Sequence, residues 1–143
     1  RSTLMMQLLL HMNQFSGTIA DEVLVPMMGL FDFSAHSNSF SGALPSMGIS
    51  GMMQLSYMYL NDNYLQGRMP ALASPKLSRV VLGQNLLSGA IPETTFGVHA
   101  GLLEFDGLYS FTGLLLQGTV PRSFSKIPAS HLSVALGHGV EGQ

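Results

Sequence analysis

Histidine has the widest chemical range of the residue types in this sequence, and two of the five histidines, His11 and His36, stand 25 positions apart. Paired imidazoles can hold a metal ion or transfer protons. A structural zinc site needs four ligands, however, and the chain has no cysteine. The position 25 residues after His36, where a third aligned histidine would stand, is Asn61. We therefore interpret His11 and His36 as polar contact residues of a binding surface and expect no metal.

The end of the chain, residues 137–142, matches the G-x-G-x-x-G fingerprint of dinucleotide-binding loops. That fingerprint also requires a helix starting at the third glycine and an acidic residue about 20 positions later. The sequence ends before either, so glycines at a turn explain the match better. The eight carboxylates are scattered, and no nucleophile elbow, H-E-x-x-H helix or phosphate loop occurs. We expect a protein that is not an enzyme and uses no cofactor.

Composition excludes other classes of function. The chain has 143 residues, the size of one domain, of which 46% are hydrophobic and 10% charged. Its net charge of −2, with isolated Lys and Arg residues, predicts no nucleic-acid partner. The longest apolar stretch, residues 23–31, is shorter than the 20 or so residues of a membrane-spanning helix. We therefore expect no membrane contact by this segment itself.

An internal repeat organises the chain. The tetrapeptide Gly-x-apolar-Pro begins at Gly42, Gly67, Gly89 and Gly118, and Gly17 begins a copy that lacks only the proline. In four copies an asparagine stands four residues before the glycine, at Asn13, Asn38, Asn63 and Asn85. Apolar residues before each asparagine alternate with a period of two, which predicts a short strand with one buried face. The spacing of 22 to 29 residues between glycines is typical of leucine-rich repeats.

The complete pattern, L-x-x-L-x-L-x-x-N-x-L-x-G-x-I-P, resembles the plant-type leucine-rich repeat, the class found in receptor-like kinase and receptor-like protein ectodomains and in polygalacturonase inhibitors. The resemblance covers residues 2–121, with a partial sixth unit at Leu132, Val134 and Leu136. It implies an α/β-type repeat fold, a right-handed solenoid with a short parallel β-sheet on its concave side and a mostly irregular or 3-10 helical convex side. We place the repeats at 2–26, 27–51, 52–73, 74–102, 103–126 and, in part, 127–143, in a single array whose caps are missing, and interpret the chain as part of a longer protein.

Asparagine at a fixed position has a physical reason. Its side chain both donates and accepts hydrogen bonds, so the stacked Asn13, Asn38, Asn63 and Asn85 should form a buried ladder with backbone groups where the chain leaves each strand. In the fifth unit Leu114 stands at this position and the segment 94–108 is longer than its equivalents. This departure predicts a local bulge or loop and leaves the register of the strand near Leu108 open.

Residues between the apolar positions of each strand should point outward on the concave face. The candidate binding residues are Gln7, His11, Asp32, Ser34, His36, Tyr57, Tyr59, Asn61, Arg79 and Gln84. Tyrosine and arginine exposed together are typical of protein interfaces, so Tyr57, Tyr59 and Arg79 are the first to test. A solvated sheet face without a partner is the alternative.

These features predict a non-catalytic recognition module that binds a protein or peptide, with a glycan as the alternative ligand. The resemblance implies a larger receptor-like protein at the cell surface, or a secreted inhibitor, and hence an extracellular location. An ice-binding solenoid would need a regular column of Thr or Ser, which Arg68 interrupts between Ala43 and Ala90. A cytoplasmic scaffold is a further alternative, because the chain carries no N-x-Ser/Thr glycosylation site.

Overall fold

A computed structural model describes residues 6–72, 74, 76–92, 108–110, 115–119, 132–133 and 140–141. Its strands in chain order are β1 (Gln7–Leu9), β2 (Ser16–Thr18), β3 (Asp32–Ser34), β4 (Ser39–Ala43), β5 (Tyr57–Tyr59), β6 (Tyr64–Arg68), β7 (Arg79–Val81), β8 (Leu86–Gly89), β9 (Leu108–Ser110), β10 (Leu115–Leu116), β11 (Gly118–Thr119), β12 (Leu132–Ser133) and β13 (Val140–Glu141). Two short α-helices, α1 (Asp21–Leu24) and α2 (Ser46–Gly51), and a 3-10 helix (Val25–Met27) accompany them.

The first strand of every repeat joins one parallel sheet of six strands, in the order β1, β3, β5, β7, β9 and β12, which we call the concave sheet. Its register preserves the repeat offset, since Phe33 on β3 pairs with Met58 on β5, and Met58 with Val80 on β7. These middle residues are at most 1% exposed, as the period of two predicts. The predicted repeat solenoid with six parallel strands is confirmed.

The register of the fifth strand, which the sequence left open, follows from the same pairing. Leu108 on β9 lies beside Arg79 on β7, and Tyr109 beside Val80. Tyr109 therefore takes the offset of the middle apolar residue of each strand.

A second parallel sheet, not predicted from the sequence, runs β10, β8, β6, β4, β2. Its strands follow the asparagines and pass through glycines with positive φ, at Gly17, Gly42, Gly67 and Gly89. A φ of 77° to 87° at these glycines is a conformation that L side chains rarely adopt, which explains the recurrence of glycine. Strands β11 and β13 form a further pair.

The asparagines occupy the turn between the two sheets. Asn38 Nδ2 donates to Leu10 O of the preceding coil at 2.9 Å and to Ala35 O of its own coil at 3.1 Å. Its Oδ1 accepts from Phe15 N at 3.0 Å. Asn63 and Asn85 repeat this arrangement, and all three side chains are at most 9% exposed. These bonds join consecutive coils as well as closing each turn.

Asn13 departs from the expected buried ladder, because it is exposed. It belongs to the first coil that the structure describes, and its Nδ2 donates to Leu10 O and His11 O of that same coil, at 3.0 and 3.1 Å. Burial of the asparagine depends on contact with a preceding coil, which Asn38 has and Asn13 lacks among the described residues.

The opposite side of the first two coils carries the helices. Asp21 Oδ1, at the start of α1, accepts from Gly48 N of α2 at 2.6 Å, so the two helices are joined across coils. Leu24 and Ile49 bury this layer against the sheets. In the described part of the chain, no helix is long and apolar enough to cross a membrane.

Several predictions fall outside the residues that the structure describes. They concern the longer segment at 94–107, the departure at Leu114, the positions Val134 and Leu136 of the sixth unit, and the glycines at 137, 139 and 142 of the dinucleotide-like fingerprint.

Candidate functional site

Side chains that point away from the core form three rows across the concave sheet. The start row, at the first residue of each strand, holds Gln7, Asp32, Tyr57 and Arg79. The end row, at the last residue, holds Leu9, Ser34, Tyr59 and Val81. The histidine row, two residues further on, holds His11, His36 and Asn61. Neighbouring strands lie about 4.8 Å apart, so four members of a row span about 14 Å.

The start row combines an acid, an aromatic and a base on three adjacent strands. Asp32, Tyr57 and Arg79 are all half-buried, so each side chain is partly enclosed by its neighbours and keeps part of its surface exposed. The ring of Phe31 meets the Tyr57 ring edge-on, with 6.5 Å between centroids, and restricts its orientation. This row can offer both charges and an aromatic surface to one extended ligand.

The end row corrects one expectation. Ser34 is 5% exposed, not open to solvent, because its short side chain lies between the larger Leu9 and Tyr59. Its hydroxyl donates to Asp32 Oδ1 at 2.8 Å and so holds the carboxylate of the start row in place. Leu9, at the outward offset of the same row, is 50% exposed.

The histidine row brings together His11 and His36, which occupy the same position in consecutive repeats. The rings of His11 and His36 stack with centroids 4.8 Å apart and planes 10° apart. Tyr59 meets the His36 ring edge-on at 6.3 Å. His36 Nδ1 lies 3.2 Å from Ser37 Oγ, within hydrogen-bond distance.

Burial lowers the pKa of His36 below its ordinary value of 6.5, and the neighbouring His11 lowers it further. The carboxylate of Asp62 acts in the opposite direction. His36 is therefore neutral at pH 7, and its imidazole acts there as a polar rather than a cationic contact.

A residue in the left-handed conformation follows the concave strand in each of four consecutive coils. Met12, Ser37, Asp62 and Gln84 all have φ of 55° to 57°, a region that residues other than glycine seldom occupy. Each precedes an asparagine of the ladder, so the strained turn and the ladder recur together. Gln84 is exposed at this turn, beyond the three rows.

Comparison with solved structures gives a consistent result. The chain matches the leucine-rich-repeat ectodomain of the receptor kinase GASSHO1/SCHENGEN3 from Arabidopsis thaliana with a TM-score of 0.75 and 29% identity, over 96% of this chain and 16% of that one. The Arabidopsis receptor kinase HAESA ectodomain matches with a TM-score of 0.76 and 27% identity, over 96% and 22% of the two chains. Its architecture is that of the leucine-rich-repeat ectodomains of plant receptor kinases. No family model and no curated protein matches its sequence.

A third similar structure has a different role. A plant ice-binding protein matches the leucine-rich-repeat chain with a TM-score of 0.62 and 26% identity, over 89% of this chain and 38% of that one. The leucine-rich-repeat chain thus spans less than half of each of the three proteins.

Sequence reasoning missed one group of surface residues, those just before the concave strands. Met6, Phe31 and Ser56 share this offset, and Met6 and Phe31 line a groove beside the start row. Their common offset in consecutive repeats was a usable signal, because any side chain repeated at one offset must line up along the array.

Proposed function

We propose that this chain is a non-catalytic recognition module that binds an extended peptide or a peptide-like segment of a protein across its concave sheet. The observation that carries the proposal is the start row, where Asp32, Tyr57 and Arg79 stand on adjacent strands with restricted side chains. Because the strands and the asparagine turns are hydrogen-bonded from coil to coil, binding orders little further structure.

Similar proteins support this choice of ligand class. The GASSHO1/SCHENGEN3 ectodomain was crystallised with CASPARIAN STRIP INTEGRITY FACTOR 2, and HAESA with an N-terminally extended IDA peptide hormone. We propose on this basis that the chain belongs to the extracellular part of a larger receptor-like protein at the cell surface. A glycan is the alternative ligand, since hydroxyls and carboxylates on the sheet could also bind sugar hydroxyls.

Peptide display tests the proposal. A library of random 12-residue peptides is selected on the immobilised 143-residue chain, and the selected peptides are measured against variants by biolayer interferometry. The double variant Tyr57→Ala, Tyr59→Ala should lose at least about tenfold in affinity, because two aromatic anchors leave the centre of the surface.

Tyr64→Ala is the matched control for this experiment. Tyr64 is 59% exposed but lies on β6 of the second sheet, so its removal should leave affinity within about twofold. Circular dichroism melting checks that all variants fold. Selected peptides that bind the Tyr57 and Tyr59 double variant as well as the unmodified chain would refute the proposed surface.

Ice binding is the second hypothesis, since a plant ice-binding protein is among the similar structures. The candidate column Thr18, Ala43, Arg68 and Ala90 is exposed, but the charged Arg68 interrupts it. We expect no thermal hysteresis from the chain, and clear activity in that assay would replace the peptide-binding proposal.

A further inference from the structure

A groove runs beside the concave sheet, along the residues that precede its strands, and we call it the edge groove. It has a volume of about 640 Å³, within the range of ligand-binding clefts. The residues that matter here are Met6, Met28, Phe31, Gln54, Ser56 and Lys76. They come from four consecutive coils, so the groove crosses the array in the same direction as the rows of the concave sheet.

The two ends of the edge groove differ in polarity. Met6 is 58% exposed and Met28 39% exposed, and with Phe31 they make one end apolar. At the other end the ammonium group of Lys76 donates a hydrogen bond to the side-chain carbonyl of Gln54. Of the described residues that line the groove, only Lys76 is charged. A ligand group that complements this end is therefore an anion.

Backbone groups along the edge groove are already paired. Met6 O accepts from Phe31 N at 2.9 Å and from Asp32 N at 3.3 Å. Phe31 O accepts from Ser56 N and Tyr57 N, at 2.8 and 2.9 Å. These paired carbonyls hold the side of the groove rigid, so selectivity there depends on side chains, through apolar contact at one end and charge at the other.

The edge groove adjoins the proposed peptide-binding surface. Phe31 lines the groove and its ring contacts Tyr57 of the start row. A peptide lying across the start row could therefore place neighbouring side chains in the groove without bending its backbone.

We propose that the edge groove binds a peptide segment that carries a large apolar side chain and a carboxylate three to four residues apart, a proposal that rests on the peptide-binding function above. From the coils of Met6 and Phe31 to the coil of Lys76 is two to three strand spacings, or about 10 to 14 Å. An extended peptide covers this distance in three to four residues, at about 3.3 Å each. Methionine side chains adapt their shape, so the apolar end should accept Leu, Ile, Met or Phe.

Methionine methyl resonances report directly on the apolar end. The 143-residue chain is labelled with ¹³C at the methionine methyl groups and titrated with a blocked Gly/Ser peptide carrying one Phe and, four positions later, one Asp. The signals of Met6 and Met28 should shift and saturate. The signal of Met47, which is 70% exposed on α2, should stay in place. A peptide with Lys instead of Asp should bind about fivefold more weakly.

The variant Lys76→Glu tests the charged end. Lys76 is exposed and its ammonium group is hydrogen-bonded to the side chain of Gln54 at the surface, so the variant should fold normally. It should reverse the preference, so that the Lys peptide binds about fivefold more tightly than the Asp peptide. The proposal is overturned if Met6 and Met28 do not respond to the Phe–Asp peptide, or if Lys76→Glu leaves the preference unchanged. Shifts that follow protein concentration without peptide would instead assign the groove to a second copy of the chain.

The two proposals fail in different ways. If display-selected peptides require Tyr57 and Tyr59 while the methyl signals of Met6 and Met28 do not shift, the edge-groove proposal is refuted and the concave-surface proposal is retained. If Met6 and Met28 respond while the tyrosine variant binds selected peptides normally, the groove is a binding site of its own and its assignment to the concave-face ligand is refuted.

Discussion

Replacement of Asn63 by leucine should destabilise the chain by about 3 to 5 kcal/mol, a large share of the 5 to 15 kcal/mol that stabilises most domains. Asn63 is 6% exposed. Its Oδ1 accepts from Phe40 N at 2.9 Å, and its Nδ2 donates to Ala35 O and Leu60 O at 3.0 and 3.2 Å. Leucine fills a similar space but offers neither a donor nor an acceptor.

The magnitude follows from the hydrogen bonds that each partner of Asn63 retains in the Asn63→Leu variant. Ala35 O still accepts from Asn38 Nδ2, and Leu60 O from Asn85 Nδ2, so each loses one bond worth about 1 kcal/mol net. Phe40 N loses its side-chain acceptor inside the protein, which costs about 1 to 3 kcal/mol. The sum is about 3 to 5 kcal/mol, most of it from bonds that join two coils.

Asn13→Leu is the matched control, since Asn13 occupies the same offset but is exposed and bonds only to Leu10 O and His11 O of its own coil. It should cost at most about 1 kcal/mol. Urea unfolding followed by circular dichroism compares the two variants, and amide hydrogen exchange should show faster exchange at Phe40 in Asn63→Leu alone. Equal destabilisation by the two variants, or unchanged protection of Phe40, would refute the ladder as the source of stability.

Two further predictions concern glycine and histidine. Gly42→Ala and Gly17→Ala both force alanine into positive φ, at a cost of about 1 to 2 kcal/mol of stability. Gly42→Ala should melt at the lower temperature, because its Cβ would lie 2.8 Å from Thr18 Cγ2, whereas a Cβ at Gly17 would meet open space. The reverse order of melting temperatures would contradict this reasoning. Because the pKa of His36 is lowered on folding, the unfolded chain takes up that proton first, so stability should fall as the pH drops through about 6.5 and level off below the folded pKa. His36→Asn, which places in this row the residue found at Asn61, should flatten that dependence in urea titrations between about pH 5 and 7.5, and an unchanged slope would show that other groups cause it.

The sequence predicted the concave sheet well because its signal is repeated. Phe33, Met58 and Val80 each stand at one offset from an asparagine, and a period of two at that offset leaves only one face for the core. The same periodicity aligned His11 with His36, whose rings indeed stack in the structure. Repetition allowed contacts between coils to be predicted from positions that are distant in the chain.

Exposure of individual residues was harder to predict, because it depends on neighbours on other strands. Ser34 stands at an outward offset, yet the longer side chains of Leu9 and Tyr59 cover it. Asn13 stands at a ladder offset, yet no described coil precedes it to bury it. In both cases the residue type and offset were right and the size or presence of a neighbour decided the burial.

The sequence by itself determined the repeat, the core offsets, the asparagine positions and the rows of the concave face, since each follows from a local pattern copied along the chain. Only the tertiary structure decided the second sheet, whose glycine-containing strands lack a clear strand pattern and pair only once the coils stack. It also decided the edge groove, because the distance between the apolar end at Met6 and the ammonium of Lys76 depends on how four coils lie side by side. Local patterns specify which way a side chain faces, whereas stacking specifies which side chains meet.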